Sequence, residues 1–193
     1  MRLWVTIILA ALVGCGEDPR TLTRDDVSGI PAGDAVGAQF SGEYLIASNK
    51  IGGCHCRAGS CATLVGLTGI PLEVTQTEGV LQMTVSTSTA VAQGGVNADG
   101  SYTLGSVLED PDNIQYALVT GRFTLSGGTP NTMTGAQEVT VHSPIYDCDI
   151  RSSFISMYVG PLAAAADVAH TAASSGGAGG AFGLVGVSAN ATR

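Results

Sequence analysis

Residues 72–86 read Leu72-Glu73-Val74-Thr75-Gln76-Thr77-Glu78-Gly79-Val80-Leu81-Gln82-Met83-Thr84-Val85-Ser86, and their character alternates with a period of two. Leu72 and Val74 oppose Glu73, Thr75 and Thr77. Beyond Thr77-Glu78-Gly79, Leu81, Met83 and Val85 oppose Gln82, Thr84 and Ser86. Successive side chains of a strand point to opposite faces, so the pattern is two half-buried strands joined by a tight turn. A helix would space its apolar residues three and four apart.

The same reading extends both ways. Downstream, Thr89 to Val96 is a weaker run ending in glycines. Asn97-Ala98-Asp99-Gly100 is a hairpin turn, because Asn, Asp and Gly accept positive φ. Ser101 to Leu108 follows, then an acidic loop from Glu109 to Asn113 holding Pro111. Gln115 to Leu125 is a long strand in which Gly121 marks a bend or bulge. Ser126 to Asn131 turns, and Met133 to His142 and Ile150 to Val159 close the set. Upstream, Glu43 to Ser48 is the first strand, and the gap after it holds the cysteines. About eight strands with short connections predict an all-β, antiparallel up-and-down meander over residues 40–161. Closure into a barrel removes the exposed edges; a two-sheet β-sandwich is the alternative.

The opening Phe40-x-Gly42-x-Tyr44, the meander and the strand number resemble the lipocalin-like small barrels, with Tyr44 where those proteins usually carry Trp. The resemblance is a pattern over residues 40–160 and transfers no ligand-site residue. It implies a barrel whose interior takes a small apolar ligand. Leu81, Met83, Val85, Leu104, Leu118 and Phe154 are then the expected cavity lining; the same residues equally suit a filled core.

Composition agrees with a single β domain. The chain has 193 residues, 45% of them hydrophobic but only 5% aromatic, with 27 glycines. Its net charge is −8, and Lys50 is its one lysine. Phosphate neutralisation needs clustered Lys and Arg, so nucleic acid is an unsuitable partner. Docking on anionic lipid by charge is equally unsuitable. A membrane-embedded barrel needs aromatic girdles at both interfaces, and four Phe, five Tyr and one Trp are too few to build them.

The N-terminus supplies an address. Arg2 precedes an apolar run from Leu3 to Leu12, which is too short to span a bilayer as a helix. Small residues follow, as in a secretory signal. Leu12-Val13-Gly14-Cys15 resembles the lipobox of bacterial lipoproteins. That resemblance implies a signal peptide over 1–14, cleavage before Cys15, and a lipid-bearing Cys15 as the membrane partner. Several acyl chains on one residue anchor stably where one does so only marginally. Gly16 stands where an inner-membrane retention Asp is usual, which implies the bacterial outer membrane. Residues 15–39 mix acids with Gly and Pro without apolar periodicity and predict a flexible linker. Residues 162–193 are Ala-, Gly- and Ser-rich and predict a mostly disordered tail.

Cys54, Cys56, Cys61 and Cys148 remain after cleavage. An oxidising compartment favours disulfides, and four cysteines allow three connectivities. The preferred set is a local Cys56–Cys61 clip and a long Cys54–Cys148 link, since a Cys54–Cys56 ring is strained. A zinc site using His55 with the thiolates is a second reading, weakened by the atypical Cys-x-Cys spacing; a redox-active pair is a third. His142 beside Tyr146, Asp147 and Asp149 suggests acid–base work, but it also closes a polar strand face. Glu109, Asp110, Asp112 and Asn113 lack EF-hand spacing and suit a solvated turn. No nucleophile elbow, zincin motif or phosphate loop is present. The expectation is a non-catalytic, lipid-anchored envelope protein without cofactor or metal. It either carries a small apolar ligand or acts as a structural or protein-interaction component.

Overall fold

Eight antiparallel strands close on themselves in the order β1 (Gly42–Ala58), β3 (Pro71–Thr77), β4 (Val80–Val85), β5 (Val91–Val96), β6 (Ser101–Asp110), β7 (Asn113–Ser126), β8 (Thr129–His142) and β9 (Asp147–Gly160). β9 returns to pair with β1 along its whole length. Between β1 and β3 lie a 3-10 turn (Cys61–Thr63) and β2 (Leu64–Gly66), which pairs with β10 (Val185–Val187). The computed structural model describes residues 18–86, 88–162 and 185–187.

The alternating pattern is realised as an inside and an outside. Leu72, Val74, Leu81, Met83 and Val85 are buried in the core, as are Leu104, Val119, Met133 and Phe154. Their neighbours Glu73, Thr75 and Gln82 face solvent. The barrel's antiparallel meander is the arrangement expected, and the β-sandwich is not formed.

Three features differ most from expectation. β1 does not stop at Ser48 but continues to Ala58, so the cysteines 54 and 56 lie within a strand. Register shifts at Ile46/Ser48, Ile51/Gly53 and Cys56/Ala58 keep Ile46, Asn49, Ile51, Cys54 and Cys56 opposite inward residues of β9. Those irregularities erase a simple period of two, which hid the strand. The acidic loop shrinks to the two residues Pro111 and Asp112, because β6 and β7 pair out to Asp110 and Asn113. Gly121 is no bulge: it stays in register with Gly135. A Cβ at Gly121 would lie 2.5 Å from the Tyr102 hydroxyl, and one at Gly135 would lie 2.7 Å from the Phe154 ring. The two glycines make room for aromatic side chains inside a narrow barrel.

Residues 18–40 are not a loose linker. They form a strap across the outside of the barrel, with Leu22, Val27 and Ala35 buried. Leu22 N–H donates to Thr140 Oγ1 at 2.7 Å, on β8. A four-residue helix, α1 (Arg24–Val27), follows, with Asp26 accepting from the Thr23 N–H and hydroxyl. Val27 lies so close to β6 that a Cβ at Gly105 would fall 1.8 Å from its carbonyl oxygen. Farther on, Gly33 N–H donates to Gly79 O at 2.9 Å and Ala35 N–H to Val96 O at 3.1 Å. The strap has no apolar periodicity because it docks through backbone bonds and isolated side chains. That is why composition misread it. The C-terminal tail is likewise not wholly unstructured, since Val185–Val187 form β10. Residues 163–184 and 188–193 of that tail, the expected signal peptide and Cys15 lie outside the described residues.

Phe40 ends the strap and plugs the barrel. It is fully buried and stacks on Phe123 with ring centroids 4.8 Å apart. Its N–H donates to Gln76 Oε1 at 3.0 Å, and its carbonyl accepts from the Tyr44 hydroxyl at 2.9 Å. Phe123 also meets Tyr44 and Tyr102. Phe40→Ala should therefore cost about 3–5 kcal/mol, read as a lower denaturant midpoint at unchanged slope. A shift below about 1 kcal/mol would mean the end is held by the strap alone.

Candidate functional site

The barrel has two ends and one distinctive stretch of outer wall. Phe40 fills one end. At the other, long β1 and β9 project together and carry the cysteines. Cys56 sits directly opposite Cys148 in the β1–β9 ladder, with Cα atoms 4.0 Å apart, and these two are bridged. Cys54 lies two residues back on the same face, opposite Ile150. Gly59, at φ +87° and packed on the Tyr146 ring, turns the chain so that Cys61 returns to bridge Cys54. The pairs are thus Cys54–Cys61 and Cys56–Cys148. The expected partners are exchanged, because the register of an unrecognised strand decides which cysteine faces Cys148. The long bridge spans a sequence separation of 92 and should stabilise by about 4–5 kcal/mol in the chain-entropy model.

His55 points away from the sulfurs, outward and exposed, so it is no ligand beside them. The sulfurs of Cys54, Cys56 and Cys61 all fall within 4.8 Å of one another, but they are engaged in bridges.

A charged clamp crosses the outside of this end. Arg57 on β1 donates to both oxygens of Asp147 and to Asp149, at 2.8–2.9 Å. Asp149 is nearly inaccessible and also accepts from Thr21 of the strap and Thr140 of β8, each at 2.7 Å. Burial pushes its carboxyl up, but the bonds from Arg57, Thr21 and Thr140 outweigh burial and hold it below the usual carboxylate range. Asp147 is likewise held low, chiefly by Arg57. His142 Nδ1 lies 2.8 Å from Asp147 at the half-exposed rim. Its neighbour Ser143 is occupied with the Tyr146 backbone. These carboxylates are structural ties, fixing strap, β1, β8 and β9 to one another.

The expected cavity residues fall into two groups. Leu81, Met83, Val85, Leu104 and Phe154 are packed in one continuous core. Leu118 is a correction: Ala117 and Val119 face inward, and Leu118, paired with Gly105 and Glu138, is on the outer face. The inner wall is also more polar than alternation suggested. Gln137 opposes Ser152, and Ser106 and Ser156 are buried as well.

The outer wall supplies a concavity instead. A groove of about 540 Å³ runs over β7, β8, β9 and β1, above the Gly121–Gly135 pair. Ser48, Thr120, Thr134 and Ser153 line it with hydroxyls, and Lys50 and Arg122 bring positive charge. Arg122 is held by Asp99 at 2.6 Å. Arg20, Arg24 and Arg57 are also ion-paired. Lys50 makes no ion pair among the described residues. Sequence reading missed this groove because its residues are scattered over four strands. Beside it, Leu45 opposes Met157, and Ile155, Met157 and Val159 form an exposed apolar stripe.

Comparison with known proteins finds no matching family model, no matching curated protein and no matching solved structure.

Asp149→Asn should lower stability at pH 7 by about 2–3 kcal/mol through weakened charged hydrogen bonds. A carboxyl held low contributes above its unfolded pKa of about 3.9 and loses that contribution as pH falls through the folded value. The wild type should therefore lose more stability than the variant between about pH 5 and 2. Equal acid slopes, measured by urea unfolding, would show that Asp149 is not a stabilising charge.

Proposed function

We infer that this is a non-catalytic, lipid-anchored protein of the bacterial outer membrane that works by contact through its outer wall. The observation that carries the reading is the contrast between inside and outside. The positions that would line a carrier's cavity touch one another, and Phe40 closes one end. Buried Gln137, Ser106, Ser152 and Ser156 are also a poor lining for an apolar molecule, since an apolar surface offers polar side chains nothing to bond. The groove, by contrast, combines four hydroxyl side chains with an unpaired ammonium.

That chemistry suits a hydroxyl-rich anionic polymer, such as an acidic envelope polysaccharide. Side-chain hydroxyls exchange hydrogen bonds with sugar hydroxyls, and Lys50 faces a carboxylate across a short distance in a chain otherwise dominated by acids. The flanking apolar stripe adds contact area for protein neighbours. Anchoring at Cys15 rests on the lipobox resemblance, and Lys50 alone is insufficient for electrostatic attachment to a membrane.

Two outcomes test the reading. Cys15→Ser expressed in a bacterial host should abolish palmitate labelling and release the chain from the membrane fraction; a variant that remains membrane-bound removes the anchor. The mature chain should bind polygalacturonate with a salt-dependent affinity that Lys50→Glu weakens at least about tenfold, equivalent to about 1.4 kcal/mol. Arg24→Glu, on the strap, is the control. Equal affinities for all three chains by calorimetry would remove the groove from the function.

A further inference from the structure

The two disulfides touch. Cys56 Sγ lies 3.4 Å from Cys61 Sγ and 3.6 Å from Cys54 Sγ. The contact follows from the fold: Cys54 and Cys56 share the inward face of β1, and the Gly59 turn lays Cys61 over both. The two bridges differ in access at one sulfur: Cys54, Cys56 and Cys61 are partly exposed, whereas Cys148 is buried at 1% exposure. Thiol–disulfide exchange proceeds by attack of a thiolate on a disulfide sulfur, so it depends on such contact and on access. Opening either bridge here leaves a sulfur already against the other.

We propose that the four cysteines form a thiol–disulfide exchange site, in which an external dithiol reduces the partly exposed Cys54–Cys61 bridge and Cys61 then opens the Cys56–Cys148 staple, whose far sulfur is buried. In the first stage one thiolate of the dithiol attacks Cys54 Sγ, and Cys61 leaves as thiolate. The second thiol of the reagent displaces Cys54, which takes a proton. The dithiol is oxidised to a disulfide, and the protein gains two electrons. In the second stage Cys61 Sγ attacks Cys56 Sγ. The Cys56–Cys61 bond forms, the Cys56–Cys148 bond breaks, and the electron pair leaves on Cys148. This stage is redox-neutral.

A buried thiolate is disfavoured and takes a proton. Cys148 has an acceptor in place for it, since Ala58 O lies 3.4 Å from its sulfur. Attack on Cys56 by Cys54 instead would close the strained Cys54–Cys56 ring. The product is therefore Cys56–Cys61, with Cys54 and Cys148 as thiols. A staple across 92 residues becomes a link across five, and the β1–β9 seam loses its covalent lock. Reducing equivalents that reach only the surface are thereby passed to a sulfur they cannot touch.

The test is peptide mapping of the mature folded chain after a single equivalent of dithiothreitol, acid trapping and alkylation. The expected result is a Cys56–Cys61 peptide, with Cys54 and Cys148 alkylated together while the strand circular dichroism persists. Alkylation of Cys54 and Cys61 with Cys56–Cys148 intact throughout would overturn the proposal. Cys54→Ser is a second, independent probe, because it retains the long staple and leaves Cys61 as a free thiol. In a thiol buffer its Cys56–Cys61 form should lie within about tenfold of the native bridge; Cys56–Cys148 as the sole bridge would overturn it equally.

Discussion

The ladder between β1 and β9 is the constraint on which the rest depends. A meander of eight strands has two free edges until its first and last strands meet, and unpaired edges are both unsatisfied and adhesive. Here thirteen residue pairs, from Glu43↔Gly160 to Ala58↔Asp147, close the circle. The seam is reinforced differently at its two ends. At one, Tyr44 packs on Tyr158 with centroids 5.3 Å apart, beneath Phe40. At the other, Cys56 is bonded to Cys148 and Arg57 clamps Asp147 and Asp149. Aromatic side chains are scarce in this sequence, and five of the eight among the described residues gather at one end. Covalent and ionic ties hold the other end.

The strap depends on that closure in turn. It crosses β8 and β9 through Leu22 and Thr21, β6 through Val27, and the ends of β4 and β5 through Gly33 and Ala35. Its docking is backbone against backbone, made possible by Gly79, Gly95 and Gly105, where any Cβ would strike the strap's carbonyls. Glycine is abundant in this chain partly for this reason, and not as a sign of disorder. Asp149 ties the layers, since a single carboxylate accepts from strap, β8 and β1 at once.

The same architecture separates the protein's chemistry into zones. The interior holds one continuous apolar core. The outer wall above Gly121 and Gly135 is shallowly concave, hydroxyl-lined and carries Lys50. The projecting end of β1 and β9 gathers four sulfurs in contact. A plugged, stapled barrel has its outer wall and its sulfur end left for partners.

Local alternation was enough to place most strands from Leu72 onward, their turns and the inward set Leu81, Met83, Val85, Leu104 and Phe154, because a strand's two faces are written directly into neighbouring residues. Tyr44, buried at the start of the barrel, was marked only by the lipocalin-like opening pattern and not by alternation. Leu118 was misplaced because Gln115 to Leu125 contains apolar residues on both faces, where alternation carries no sign. Long-range geometry decided the rest. The register shifts of β1 determine which cysteine meets Cys148, and a one-residue slip reverses every face. The strap's burial depends on glycines up to about eighty residues away in sequence, and the groove on four strands joined only by closure. Sequence determines what each segment can do alone; partners brought together by the circle of hydrogen bonds exist only once the circle has formed.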